Sequence, residues 1–114
     1  MHELSLLKAL GEQVAELAQQ QGFSRVVAIR LGVGERSGVE PDCVHFCFAE
    51  AAAGTLLAGA RLELEVLPLE LLCAACGQPS FPHDAADIFC AHCGSPTTRT
   101  VRGHELCILE LDVN

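Results

Sequence analysis

Residues 73–93 constrain this chain more than any others. Cys73-Ala74-Ala75-Cys76 and Cys90-Ala91-His92-Cys93 are two Cys-x-x-Cys pairs separated by thirteen residues, each followed at once by a glycine, Gly77 and Gly94. Two residues between cysteines let one tight turn aim both sulfurs inward. Two such turns supply the four thiolates, at about 2.3 Å, that a tetrahedral d10 ion such as Zn(II) accepts. A glycine just past the second sulfur relieves the steric cost of positive φ. The spacer from Gly77 to Phe89 holds Pro79, Pro82 and Asp84, so loop and short hairpin are expected there rather than helix. A segment this small and poor in apolar residues cannot bury a core of its own. A metal must hold it together, with apparent binding energies of about 10–16 kcal/mol in small zinc modules. Two rival readings use the same cysteines: a pair of disulfides, and a thioredoxin-like redox pair. The redox motif would need one Cys-x-x-Cys at a strand-to-helix junction, whereas here there are two in loop-like surroundings.

Charge narrows the partners. Fifteen Asp and Glu stand against seven Lys and Arg, a net charge of −8, and only Arg99 and Arg102 lie close to the knuckles. Phosphate binding depends on clustered Lys and Arg, so a nucleic-acid-binding zinc ribbon is disfavoured. The start, Met-His-Glu-Leu-Ser, lacks the basic residues and apolar run of a signal peptide, and no apolar stretch is long enough to span a bilayer. A cytoplasmic location without membrane contact is expected. There, the seven cysteines read as metal ligands and buried thiols rather than disulfides.

Periodicity supplies the elements. Leu4, Leu7, Leu10, Val14 and Leu17 recur at three and four, one stripe of an amphipathic helix over Glu3 to about Gln21, stopped by Gly22. Residues 25–33 alternate, with Val27, Ile29, Leu31 and Val33 on one side, as a half-buried strand does. Pro41 opens a second helix whose stripe is Val44, Cys47, Phe48, Ala51 and Ala52, ending at Gly54. Residues 61–67 and 105–113 alternate again, with Leu62, Leu64 and Val66 inward in one and Cys107, Leu109, Leu111 and Val113 in the other. The last two strands flank the knuckle, so the simplest arrangement makes them antiparallel neighbours. The expected fold is α+β: a three-stranded sheet covered by two helices. The domain is discontinuous, residues 1–69 and 103–114, with a zinc-ribbon-like knuckle domain, residues 70–102, inserted between.

Two further groups of residues carry possible chemistry. At the amino terminus the α-amine of Met1, the backbone nitrogen of His2 and its imidazole can close adjacent chelate rings on a square-planar ion such as Ni(II) or Cu(II), with the Glu3 carboxylate nearby. The same residues also read simply as a helix start, Glu3 answering the positive end of the dipole. Cys43 and Cys47 lie four apart on the second helix, on one face; they read either as small buried hydrophobes or as a pair able to hold a soft ion. No nucleophile with a base at a recognisable spacing and no phosphate-binding glycine loop is present, so no enzymatic activity is expected.

Met-His-Glu at the start, Gly34-Glu35-Arg36-Ser37 before the second helix and the late Cys-x-x-Cys pair together resemble the HypA/HybF family of nickel metallochaperones, over the whole chain. The resemblance implies delivery of Ni(II) to the precursor of the [NiFe]-hydrogenase large subunit, in concert with a nickel-handling GTPase, by a monomer or homodimer. It implies nickel at Met1, His2 and Glu3, with His2 the key ligand and Glu40 a further carboxylate close to the ion. The discontinuous domain is then the nickel-binding one, and Cys73, Cys76, Cys90 and Cys93 hold structural Zn(II). Where some members carry a histidine directly beside each knuckle, this chain has Gly77 and Gly94, with His83 and His92 differently spaced. The reading from another class is a zinc-ribbon adaptor that docks proteins and has no nickel role.

Overall fold

The computed structural model describes residues 2–84 and 87–114, with His2 described by its backbone alone. The first helix, α1 (His2–Gln21), buries Leu7, Leu10, Val14 and Ala18, the residues that 3.6-residue periodicity places on one face. It stops where the Gly22 amide donates back to the Ala18 carbonyl at 2.8 Å, with Gly22 at φ 79°. Strand β1 (Val26–Gly34) follows, then α2 (Pro41–Ala52), with the ring of Pro41 in its first turn and Glu40 at its N-cap.

The remaining elements are β2 (Arg61–Leu67), β3 (Glu70–Cys73), β4 (Pro79–Ser80), β5 (Thr98–Arg102) and β6 (Leu106–Val113). They make two three-stranded sheets, ordered β2-β1-β6 and β4-β3-β5. Residues 25–33, 61–67 and 105–113 do share one sheet. The expected hairpin between β2 and β6 is incorrect, because β1 lies between them. Burial explains the order. Ile29, Leu31 and Val33 are fully buried on one face of β1, and Val26 and Ala28 are buried on the other. A strand covered on both faces belongs in the middle, whereas β2 and β6 hold only half-buried and exposed residues, as sheet edges do.

Hydrogen bonds at the strand ends give the directions. Gly34 donates to Glu105 and Asn114 donates to Arg25, so β1 and β6 run antiparallel. Glu35 donates to Leu67, so the ends of β1 and β2 lie together, and Val26 at the start of β1 donates to Leu56, on the segment that leads into β2. These two strands are parallel, with α2 as their crossover. The expected inward faces are corrected at four positions: Val27, near the start of the central strand, and Val66, Leu109 and Val113, on the edge strands, are exposed, between 38% and 56%. The helices cover the Ile29 and Leu31 face, where Leu7, Leu10, Phe48, Ala52 and Leu57 gather.

The spacer between the knuckles holds the short hairpin strand β4 and otherwise loop among its described residues, with no helix, and β4 belongs to a second sheet. β3 pairs antiparallel with β4 (Leu71 with Ser80) and with β5 (Leu72 with Arg99, Cys73 with Thr98). Two compact units result. One is Met1–Gly32, Val39–Glu65 and Leu106–Asn114, and the other is Val33–Gly38 and Val66–Glu105. The second takes in more chain than residues 70–102, including the Gly34-Glu35-Arg36-Ser37 segment.

Candidate metal centre

The two knuckles are built alike. Cys73 ends β3, its amide donating to the Gln78 carbonyl at 3.2 Å while its carbonyl accepts from Gly77 at 3.0 Å. Cys90 repeats this with Ser95 at 2.9 Å and Gly94 at 3.0 Å. Both glycines have φ 77°, the conformation that closes the turn and that a side chain would oppose. Within each turn the first sulfur faces inward-pointing amides. Ala75 and Cys76 donate to the Cys73 Sγ at 3.3 and 3.4 Å, and His92 and Cys93 donate to the Cys90 Sγ at 3.3 and 3.4 Å.

All four sulfurs lie within 4.8 Å of one another, with Cys73 to Cys93 and Cys76 to Cys90 both at 3.6 Å. A tetrahedron of bonds of about 2.3 Å has edges of about 3.8 Å, so the sulfurs stand where a zinc-sized ion would put them. Among the described residues this is the only group of three or more metal-ligating side chains gathered so closely.

Electrostatics divides the set. The amides of Cys93 and His92 draw the Cys90 thiol down to about 6, and the amides of Cys76 and Ala75 likewise lower that of Cys73. For Cys76 the Gln78 amide also pulls downward, but burial and the neighbouring sulfurs outweigh it and push this thiol up to about 12. Four bare thiolates cannot coexist at this distance without a cation; an ion that binds must displace the remaining protons, and its affinity falls as pH drops.

Ser80 fixes the second knuckle and had no counterpart in the sequence reading. It is buried on β4, accepts the Ala91 amide at 3.0 Å and points its hydroxyl toward the Cys90 sulfur at 4.0 Å. Only the pairing of β3 with β4 reveals that role. His92 sits beside the knuckle with Nε2 3.1 Å from the Pro79 carbonyl and is not among the clustered donors.

At the other candidate site, Met1 and the side chain of His2 lie outside the described residues. Glu3 is buried at 9%, and its carboxylate receives the backbone amide of Glu40 across 3.5 Å. The two acidic residues singled out from sequence therefore meet at the start of α2. The Glu35 carboxylate accepts the Leu69 amide at 2.9 Å, and Arg36 reaches the His83 carbonyl at 3.3 Å. That segment tethers the chain within the unit that holds the four cysteines.

Comparison with known proteins fixes the lineage. Residues 1–113 match the family model described as hydrogenase/urease nickel incorporation, metallochaperone, HypA. The chain belongs to the HypA family. It is 39% identical to the hydrogenase maturation factor HypA of Roseiflexus sp. (strain RS-1), over 98% of this chain and 91% of that one. With the hydrogenase maturation factor HypA of Alkalilimnicola ehrlichii it shares 40% identity over the whole of both chains. The solution structure of the Ni metallochaperone HypA from Helicobacter pylori superposes with a TM-score of 0.77 at 24% identity, covering 99% of this chain and 97% of that one, which places the two in one fold. HypA proteins are nickel metallochaperones of hydrogenase and urease maturation, and the chain is not an enzyme. No helix among the described residues is long and apolar enough to cross a membrane.

Proposed function

We propose that this protein binds one Ni(II) at its amino terminus, through Met1, His2 and Glu3, and delivers it in the cytoplasm to the large-subunit precursor of a [NiFe]-hydrogenase. It works as a monomer or homodimer with a nickel-handling GTPase, while Cys73, Cys76, Cys90 and Cys93 hold a structural Zn(II). The observation that carries the reading is a mismatch. The family incorporates nickel, yet the one compact donor cluster among the described residues is four sulfurs. Four thiolates close a tetrahedral site and leave no position for exchange, which suits a resident ion and not a cargo. A carried ion needs donors that can let go.

The amino terminus supplies nitrogens that suit planar Ni(II) and not tetrahedral zinc. Protons compete for the α-amine and imidazole over the range about 6.5 to 8, so the ion is released as pH falls. The positive end of α1 repels a cation there, and Glu3, with Glu40 beside it, offsets that field. Residues 1–69 with 103–114 form the nickel-binding domain in this reading, and residues 70–102 the zinc-binding one.

The test is calorimetric nickel titration of protein without an amino-terminal tag. His2→Ala should abolish the one-equivalent nickel isotherm and leave zinc content unchanged; Cys73→Ser should do mainly the reverse. If His2→Ala still binds one equivalent with unaltered affinity, the nickel site is elsewhere; if the parent protein binds none, the docking-adaptor reading takes its place.

A further inference from the structure

The two helices border a groove that no described residue fills. Gly11, Glu12 and Ala15 of α1 line one side, and Glu50, Ala51 and Ala53 at the end of α2 line the other, around about 760 Å³ of open space. Gly11 has no structural reason within the chain. A glycine inside a helix is destabilising relative to alanine, and a Cβ at position 11 would meet nothing within 4 Å. The missing side chain leaves room for another molecule to approach the backbone of α1.

Beside the groove α2 presents Phe46, 86% exposed and more so than any other large apolar residue described. Phe46 and Glu50 are one turn apart on one stripe, so the ring extends the groove wall toward the start of α2. Cys43 on the same helix is also exposed, so it is not a buried hydrophobe, and Cys47 is half-buried.

Charge selects what can enter. The helices carry Glu3, Glu12, Glu16, Asp42 and Glu50, with Lys8 as their one Lys or Arg. On the sheet, Arg30 pairs with Glu65 and Glu110, and Arg61 with Glu63. Glu12 and Glu50 pair with no cation among the described residues. A cationic occupant gains from both carboxylates, whereas a second copy of this chain, at −8, is repelled. Backbone chemistry then selects its form. Both walls are helical, and no sheet edge borders the groove. An extended peptide would find no main-chain partners there, whereas a helix satisfies its own amides and carbonyls.

We infer that the groove between α1 and α2 docks a basic amphipathic helix of a partner protein. Its apolar ridge rests on Gly11, Ala15 and Ala51 and against Phe46, and its Lys or Arg side chains reach Glu12 and Glu50. The inference does not depend on the nickel reading.

The zinc-loaded chain should be titrated, by fluorescence anisotropy, into a labelled stapled helix that has one Leu and Ala face flanked by lysines. Its counterpart with glutamates in place of the lysines is the control. The lysine helix should bind, more weakly as salt rises, and the glutamate helix should not. Gly11→Leu fills the groove without changing charge, and Phe46→Ala removes the ring; each should weaken binding about tenfold or more, with helix content by circular dichroism unchanged. Glu12→Gln combined with Glu50→Gln should weaken binding and flatten its salt dependence. Equal affinity in parent and Gly11→Leu would overturn the inference, because a helix held by charge alone does not occupy the groove. So would no binding by the parent, binding of the glutamate helix as tight as that of the lysine one, or a parent homodimer that Gly11→Leu dissociates, which would make a second copy the occupant.

Discussion

A single absent atom matters at Gly34. A Cβ built there would overlap the backbone of Gly103 and the amide of Glu105, whereas one at Gly11 in α1 would meet nothing within 4 Å. Backbone cannot swing aside as a side chain can, so Gly34→Ala should cost about 1–3 kcal/mol. Gly11→Ala removes chain entropy from the unfolded state and should gain about 0.5–1 kcal/mol. Urea midpoints of the two variants should therefore move in opposite directions; movement the same way would mean the close approach at Gly34 is not tight. Sequence offers no hint of the difference. Gly34 depends on Gly103 and Glu105, some seventy residues away, while the two knuckle glycines were legible because the turn that needs them lies within five residues of chain.

At the scale of elements, the link from β5 to β6 turns on Glu105. Its carboxylate accepts the Gly103 amide at 2.7 Å, and its own amide followed by that of Gly103 holds its pKa below the usual 4.5. A carboxyl whose folded pKa is depressed stabilises the fold fully above its ordinary value, and that contribution is lost as pH falls toward the lowered one. Denaturation between about pH 5 and about pH 3 should then show Glu105→Gln losing less stability than the parent. Equal losses would place the acid sensitivity elsewhere. Long helical elements were readable for a related reason: α1 and α2 bury one face each, and burial writes a period into sequence. β5 buries almost nothing and β4 is two residues long, so neither leaves a pattern. That β1 rather than β2 neighbours β6 was equally hidden, because alternation reports a strand's faces and not its position in the sheet.

For the whole molecule, the two units rest on different physics. The unit containing both helices buries Leu7, Leu10, Val14, Val26, Ile29, Leu31, Val44 and Leu57, a core large enough to persist by itself. The other unit buries Val33, Leu69 and Leu71, and beyond these chiefly Cys73 and Cys90. Two of its most buried side chains are thus candidate ligands, leaving little apolar area to offset the entropy of ordering β3, β4 and β5. Stripping the metal with a strong chelator under reducing conditions should therefore melt one unit and spare the other. Hydrogen exchange read by mass spectrometry resolves this. Amides of Leu71 to Cys73 and Thr98 to Arg102, which pair with one another in the second sheet, should lose protection on chelation. Those of β1 from Val26 to Leu31 and of the middle of α1 should keep it. Re-adding one equivalent of zinc should restore the first set, and nickel, which prefers planar nitrogen donors, should restore it poorly. Were chelation to expose both sets together, the two units would fold as one cooperative body. Were it to expose neither, β3 and its partners would stand without an ion, and the four sulfurs would be a bound-metal site that the fold does not need.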